Sequence, residues 1–121
     1  MKRVLVDTSV WIDHFRITNL RLTSLLMERK VCAHPFVTGE LACGSLGRGR
    51  EVLSLLRNLP QAPEVSSDRA LELIESERLM GKGVGWTDVH LLASVRSVNG
   101  QLWSRDRRLV QAASRLGVAF E

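Results

Sequence analysis

Apolar positions along this chain follow two alternating rhythms. Short β-branched runs are separated by longer stretches in which leucine, valine and tryptophan recur every three or four residues. The first run, residues 3–6, predicts a buried strand ending at Asp7. Residues 8–15 predict a short helix anchored by Val10, Trp11 and Phe15, and residues 20–29 a second one carrying Leu22, Leu25 and Leu26. Residues 31–34 read as a strand closed by Pro35. Residues 36–46 read as a helix with Val37, Leu41 and Gly44 on one face. A helix over 50–58 bears Val52, Leu55 and Leu56 and is stopped by Pro60. A short strand over 62–65 precedes an amphipathic helix over 67–80, with a serine cap and acids in its first turns. Residues 86–98 form a helix ended by Asn99-Gly100. A strand over 101–104, a helix over 106–116 and a final strand over 118–120 complete the pattern.

Short apolar strands alternating with longer helices predict a three-layer α/β domain, a parallel sheet with helices on both faces. The turn-rich stretches 44–49, 60–67 and 81–85 are too short to be linkers, so residues 1–121 read as one domain. In such sheets ligands sit outside the carboxyl ends of the strands.

Composition narrows the class. Hydrophobic residues make up 45% and charged residues 25%, which excludes a disordered or collagen-like chain. No apolar run approaches the ~18 residues that span a bilayer. The opening segment meets Asp7 after three apolar residues, so no secretory signal is expected. A cytoplasmic protein with no membrane association is the expectation. Cys32 and Cys43 lack metal-like spacing and read as two buried free thiols. Lys and Arg number 17 against 13 acids, a net charge of +4. Fourteen of those cations are arginine, whose fork matches phosphate and carboxylate, so the chain favours a polyanionic partner: RNA, DNA or an acidic protein segment.

Four acids break the pattern. Asp7 follows the first strand, and Asp106 follows the strand-like Gln101-Leu102-Trp103. Either is explicable as a helix cap. Glu40 shares a helix face with Val37, Leu41 and Gly44, the face expected to pack inward, where an unpaired carboxylate is costly. Asp88 shares a face with Leu91, Leu92 and Val95. Two carboxylates ~4 Å apart repel by about 4 kcal/mol at an effective dielectric near 20. Convergence of four therefore needs bound protons or a divalent cation. Oxygen ligands without a histidine cluster favour Mg²⁺ or Mn²⁺ over zinc. His14, His34 and His90 are scattered.

Around these acids the chain resembles a PIN-domain ribonuclease of the VapC toxin type. Val4-Leu5-Val6-Asp7-Thr8-Ser9-Val10-Trp11-Ile12 is similar to the family's opening strand and first acid. Thr38-Gly39-Glu40-Leu41-Ala42-Cys43-Gly44 is similar to the second acidic segment, and Gly85-Trp86-Thr87-Asp88-Val89-His90-Leu91-Leu92-Ala93 to the third. Leu102-Trp103-Ser104-Arg105-Asp106-Arg107-Arg108-Leu109 is similar to the fourth. Four segments in order, over nearly the whole chain, make the resemblance specific. It implies a Mg²⁺- or Mn²⁺-dependent endoribonuclease. Asp7, Glu40 and Asp88 match the metal-binding acids, Asp106 matches the fourth acid, and Ser104 stands where the family has a supporting hydroxyl, more often threonine. Arg105, Arg107 and Arg108 flank the fourth acid and are candidate RNA-binding residues. The resemblance further implies RNA as substrate, a cognate antitoxin that occupies the pocket, and a homodimer, with Trp11, Phe15 and Leu46 as apolar interface candidates.

Rival readings fit less well. A response-regulator receiver needs adjacent acids after its first strand and a lysine after a late strand. Asp7 stands alone, and the lysines are Lys2, Lys30 and Lys82. A haloacid-dehalogenase-type phosphatase needs Asp-x-Asp where this chain has Asp7-Thr8-Ser9. A PIN-like module that binds RNA or protein without cutting is the remaining alternative.

Overall fold

The computed structural model describes residues 2–45 and 47–121. The strands are short: β1 (Val4–Val6), β2 (Val31–Cys32) and β3 (Gln101–Trp103). The helices are α1 (Thr8–Arg16), α2 (Leu20–Met27), α3 (Pro35–Cys43), α4 (Gly49–Asn58), α5 (Ser67–Ser76), α6 (Trp86–Ser97) and α7 (Arg107–Arg115). The sheet order is β2-β1-β3 and both pairings are parallel, with Val4 opposite Val31 on one side and Gln101 on the other. Every residue of β1 is buried, as a central strand covered on both faces demands.

Single parallel bridges widen the sheet at each edge, Ala33 with Gln61 and Leu102 with Ala119. The strand expected over 118–120 is thus reduced to one bridge, and the one expected over 62–65 does not form, the bridge at that edge falling one residue earlier at Gln61. At the first edge Pro63 has no N–H to extend the ladder. The expected boundaries shift elsewhere for similar local reasons. Pro35 does not close a strand but occupies the first turn of α3, with His34 as N-cap. Helix α5 stops at Ser76 because Arg78 enters the left-handed region (φ 54°) and the Leu79 N–H closes on the Ile74 carbonyl at 3.0 Å. Helix α2 ends in the same way at Arg29 (φ 59°), with the Lys30 N–H on the Leu25 carbonyl.

One core gathers the inward faces of strands and helices, with Trp11, Leu5, Leu22, Leu56, Leu91, Leu92 and Leu109 fully buried. Trp11 is therefore core and not interface. Phe15 is half-buried and stacks on it at 5.7 Å. Leu46 lies outside the described residues. Cys32 is buried, and burial pushes its thiol up to about 11. Cys43 is exposed, contrary to expectation, because it ends α3 beyond the stripe that packs inward. Among the described residues no helix is long and apolar enough to cross a membrane.

Two histidines stabilise chain turns as neutral acceptors. His34 Nδ1 accepts the Phe36 N–H at 3.0 Å, and His14 Nδ1 accepts the Asn19 N–H at 3.0 Å. Burial lowers both basicities; at His34 the Glu64 charge opposes this and His90 adds to it. Groups with depressed native basicity bind fewer protons folded than unfolded, so stability is lost as pH falls below their ordinary value of ~6.5. The melting temperature should fall between pH 7 and pH 5.5. The fall should be smaller in His14→Asn, which retains an acceptor but does not titrate. A flat or rising melting temperature over that range would contradict these roles.

Candidate active site

The carboxyl ends of β1 and β3 lie side by side, and the chain turns there into α1 and α7. Asp7 takes the N-cap position of α1, yet its carboxylate caps nothing. It is only 7% exposed. Ser9 Oγ donates to its Oδ2 at 2.9 Å and Ser104 Oγ donates to the same oxygen at 2.8 Å. Among the described residues no hydrogen bond engages Oδ1. Helix capping therefore does not account for this buried acid.

Asp106 does serve as a cap. Its Oδ1 accepts the Arg108 N–H at 2.9 Å and the Leu109 N–H at 3.2 Å at the start of α7. The residue is exposed and leaves its second oxygen to solvent. Ser104 joins the two acids: its hydroxyl accepts the Asp106 N–H at 3.0 Å while donating to Asp7. Ser9 Oγ likewise accepts the Arg105 N–H at 3.0 Å.

Glu40 departs from expectation. Val37 and Leu41 are buried, but Glu40 and Gly44 are exposed, so the inward stripe of α3 is narrower than the sequence suggests. Glu40 sits at the edge of that stripe, where Thr8 Oγ1 donates to its Oε1 at 3.0 Å. Beside it opens a cleft of about 630 Å³ whose lining includes Ile12, Phe15, Leu41 and Arg48.

Asp88 lies in the first turn of α6 and is half-buried. Burial holds its carboxyl above the usual carboxylate range. A 3.4 Å bond from the Gly85 N–H opposes this, and the negative charges of Asp7, Asp106 and Glu40 add to the rise. Three acids thus act through space on Asp88. None of the four is neutralised by a cation: the three ion pairs among the described residues are Lys30–Glu28, Arg96–Glu77 and Arg105–Asp13.

A hard divalent cation fits this donor set, which consists of carboxylate and hydroxyl oxygens. Among the described residues no three metal-binding side chains form a ready-made cage. Mg²⁺ is commonly bound through one or two carboxylates and keeps several waters. Asp7 and Asp88 are the half-buried to buried acids able to bind directly, with Glu40 and Asp106 exposed at the margin.

The three flanking arginines go different ways. Arg105 is paired with Asp13 at 2.8 Å. Arg107 is exposed. Arg108 lies across Gly83. His90 is buried edge-on between Phe36 and Trp86. Thr8 and Ser9 were not singled out from sequence. The signal was two hydroxyl residues directly after the first acid, where the chain turns from strand to helix.

Ser104→Ala removes a donor to Asp7 and an acceptor for the Asp106 N–H. Losing a hydrogen bond that orients a metal ligand typically weakens metal affinity or activity 10–100-fold. Cleavage by this variant should fall within that range and recover in Ser104→Thr. Unchanged cleavage would show that Ser9 holds Asp7 unaided.

Residues 4–115 match the PIN domain family, and the chain belongs to it. Ribonuclease VapC32 of Mycobacterium tuberculosis, in strains CDC 1551 / Oshkosh and ATCC 25618 / H37Rv, is 48% identical over 118 residues, covering 97% of this chain and 95% of the relative. Within the PIN family the chain is therefore a VapC-type ribonuclease. Its fold is also that of the crystal structure of PAE2754 from Pyrobaculum aerophilum, with a TM-score of 0.69, 14% identity, and coverage of 98% of this chain and 88% of that one. FitAcB from Neisseria gonorrhoeae aligns with a TM-score of 0.65 at 19% identity, over 96% of this chain and 94% of that one.

Proposed function

We propose that the protein is a metal-dependent endoribonuclease, the toxin of a type II toxin–antitoxin pair, working at the acid cluster formed by Asp7, Glu40, Asp88 and Asp106. The observation that carries the site is that Asp7, Asp106 and Glu40 lie close enough to act on the half-buried Asp88, while none of the four is in an ion pair among the described residues. Family membership supports RNA as the substrate.

Asp7 and Asp88 would hold Mg²⁺ or Mn²⁺, with Asp106 and Glu40 binding directly or through water. When bound, the metal supplies positive charge that offsets the carboxylates, steadies the phosphate oxygens and makes a nearby water more acidic. The chain's own residues do the rest. Ser9 and Ser104 fix the Asp7 carboxylate through Oδ2 and keep Oδ1 for the cation. Thr8 holds Glu40 at the rim. Asp106 is fixed by the α7 N–H groups it caps. Glu40 and Asp106, both exposed, are the carboxylates available to accept a proton from water. Of the flanking arginines, Arg107 and Arg108 are the ones left to contact phosphates.

An antitoxin partner, a homodimer and a cytoplasmic location belong to the same reading. They rest on family membership and on the VapC32 relative. Endonucleolytic action is tested with circular RNA, which has no ends for an exonuclease. The account expects linear products with Mg²⁺ or Mn²⁺ and none with EDTA. Circles that survive while linear RNA is trimmed from its ends would overturn it.

A further inference from the structure

Three cations line one cleft beside α7. Lys82, Arg108 and Arg115 line a cleft of about 190 Å³ together with Leu79, Gln111 and Ala112, and no carboxylate is among its walls. At ~30 Å³ per water it holds several waters or one anionic group. Among the described residues none of the three cations is in an ion pair. The nearby Glu77 spends its carboxylate on Arg96 and offers Arg115 only its backbone carbonyl.

Arg108 is the informative member. Its own N–H is bonded to Asp106, two residues back, so an opposite charge stands within easy reach. Its side chain nevertheless makes no ion pair there and lies over Gly83. Gly83 has φ +79°, and a Cβ added to it would run into the Arg108 side chain. The glycine thus provides both the left-handed turn and the bare backbone that let Arg108 join Lys82 and Arg115. Exposed like charges gathered without a counter-charge raise the local positive potential and so attract an anion.

We propose that this cleft holds a backbone phosphate of the RNA strand next to the one that is cut. The inference rests on the nuclease reading and deepens it. The cleft is tied to the acids at two points: Arg108 follows Asp106 on α7, and the loop carrying Lys82 and Gly83 ends at Gly85, whose N–H is bonded to Asp88. A strand crossing the acids meets the cleft with a neighbouring phosphate. An acidic protein segment would offer carboxylates without the regular spacing of a nucleic-acid backbone, so RNA is the favoured occupant.

The test uses full-length Asp88→Asn protein, a fluorescent single-stranded RNA of mixed sequence, and binding measured across a salt series. Each single-strand phosphate contact contributes a slope of roughly 0.7 in log affinity against log salt. Lys82→Gln with Arg108→Gln should flatten the slope by roughly 0.7, the contribution of the one phosphate the cleft holds. Arg50→Gln with Arg69→Gln, exposed charges on α4 and α5, should leave it close to the parent. Arg108→Lys keeps the charge and should keep the parent slope, which separates a phosphate role from mere packing over Gly83. In the cleaving parent, the Lys82/Arg108 variant should raise KM with kcat within about two-fold. Equal slopes in the two double variants, in a parent that cleaves RNA, would overturn the cleft and spare the nuclease reading. A parent that cleaves no RNA would overturn the nuclease reading itself. Binding of polyglutamate, lost on the Lys82/Arg108 change while RNA binding is unmoved, would assign the cleft to a protein partner and overturn the proposal.

Discussion

Asp88→Asn is expected to abolish RNA cleavage and at the same time to make the protein more stable. Asparagine keeps the shape of the side chain and its acceptor for the Gly85 N–H, but it removes a half-buried negative charge set against three others. On the role proposed for Asp88, removing a direct ligand should exceed the 10–100-fold effect seen for groups that only orient one. Cleavage should therefore fall by at least ~100-fold. The repulsion removed is one that the folded state carries and the unfolded chain largely escapes. A gain of roughly 0.5–2 kcal/mol is the usual size of a single stabilising change. Thermal unfolding without divalent metal measures the gain, and added Mg²⁺ should raise the melting temperature of the parent more than that of the variant. A variant that is inactive but destabilised would mean that Asp88 is a structural acid.

Trp11→Ala should be the most damaging single change outside the site. The indole is 0% exposed, stacks on Phe15 at 5.7 Å and meets His14 edge-on at 6.2 Å. Truncating a buried tryptophan costs ~3–5 kcal/mol through lost burial and the cavity left behind. In a domain of this size that lowers the melting temperature by roughly 10–20 °C. Trp11→Phe should cost less than half as much. Trp11 Nε1 is buried with no hydrogen-bond partner among the described residues, so its removal orphans nothing. A loss under ~1 kcal/mol for the alanine variant would place Trp11 outside the core and return it to the interface candidates.

Much of this architecture was legible in the residues. The run Val4-Leu5-Val6 before Asp7 and the leucines of α6 announce a buried parallel strand and a buried helix, because both faces of such a sheet are apolar. What failed was set by tertiary context. The inward stripe of α3 is only Val37 and Leu41 wide, and helical spacing alone does not say where a stripe ends. The strand expected over 62–65 contains Pro63 and does not form, the single bridge falling just before it at Gln61. Left-handed turns at Arg29 and Arg78, residues without a strong preference for that region, end helices that the periodicity would continue.

The site divides in the same way. The acids are visible because carboxylates at strand ends and on apolar helix faces contradict burial. The hydroxyls that fix them are ordinary surface residues in sequence. Only the meeting of β1 with β3 brings Ser104 to Asp7 across 97 positions. The partition among Arg105, Arg107 and Arg108 also depends on folding, since Asp13 and Gly83 decide where two of them go.

The most direct test of the central claim is cleavage of a mixed pool of cellular RNAs by the purified protein, freed of any bound partner. Parallel reactions contain Mg²⁺, Mn²⁺ or EDTA, with Asp88→Asn as the control for contaminating nuclease. The account predicts discrete cuts with either metal, none with EDTA and none from the variant. Equal cutting by the variant, or cutting undiminished by EDTA, would contradict it.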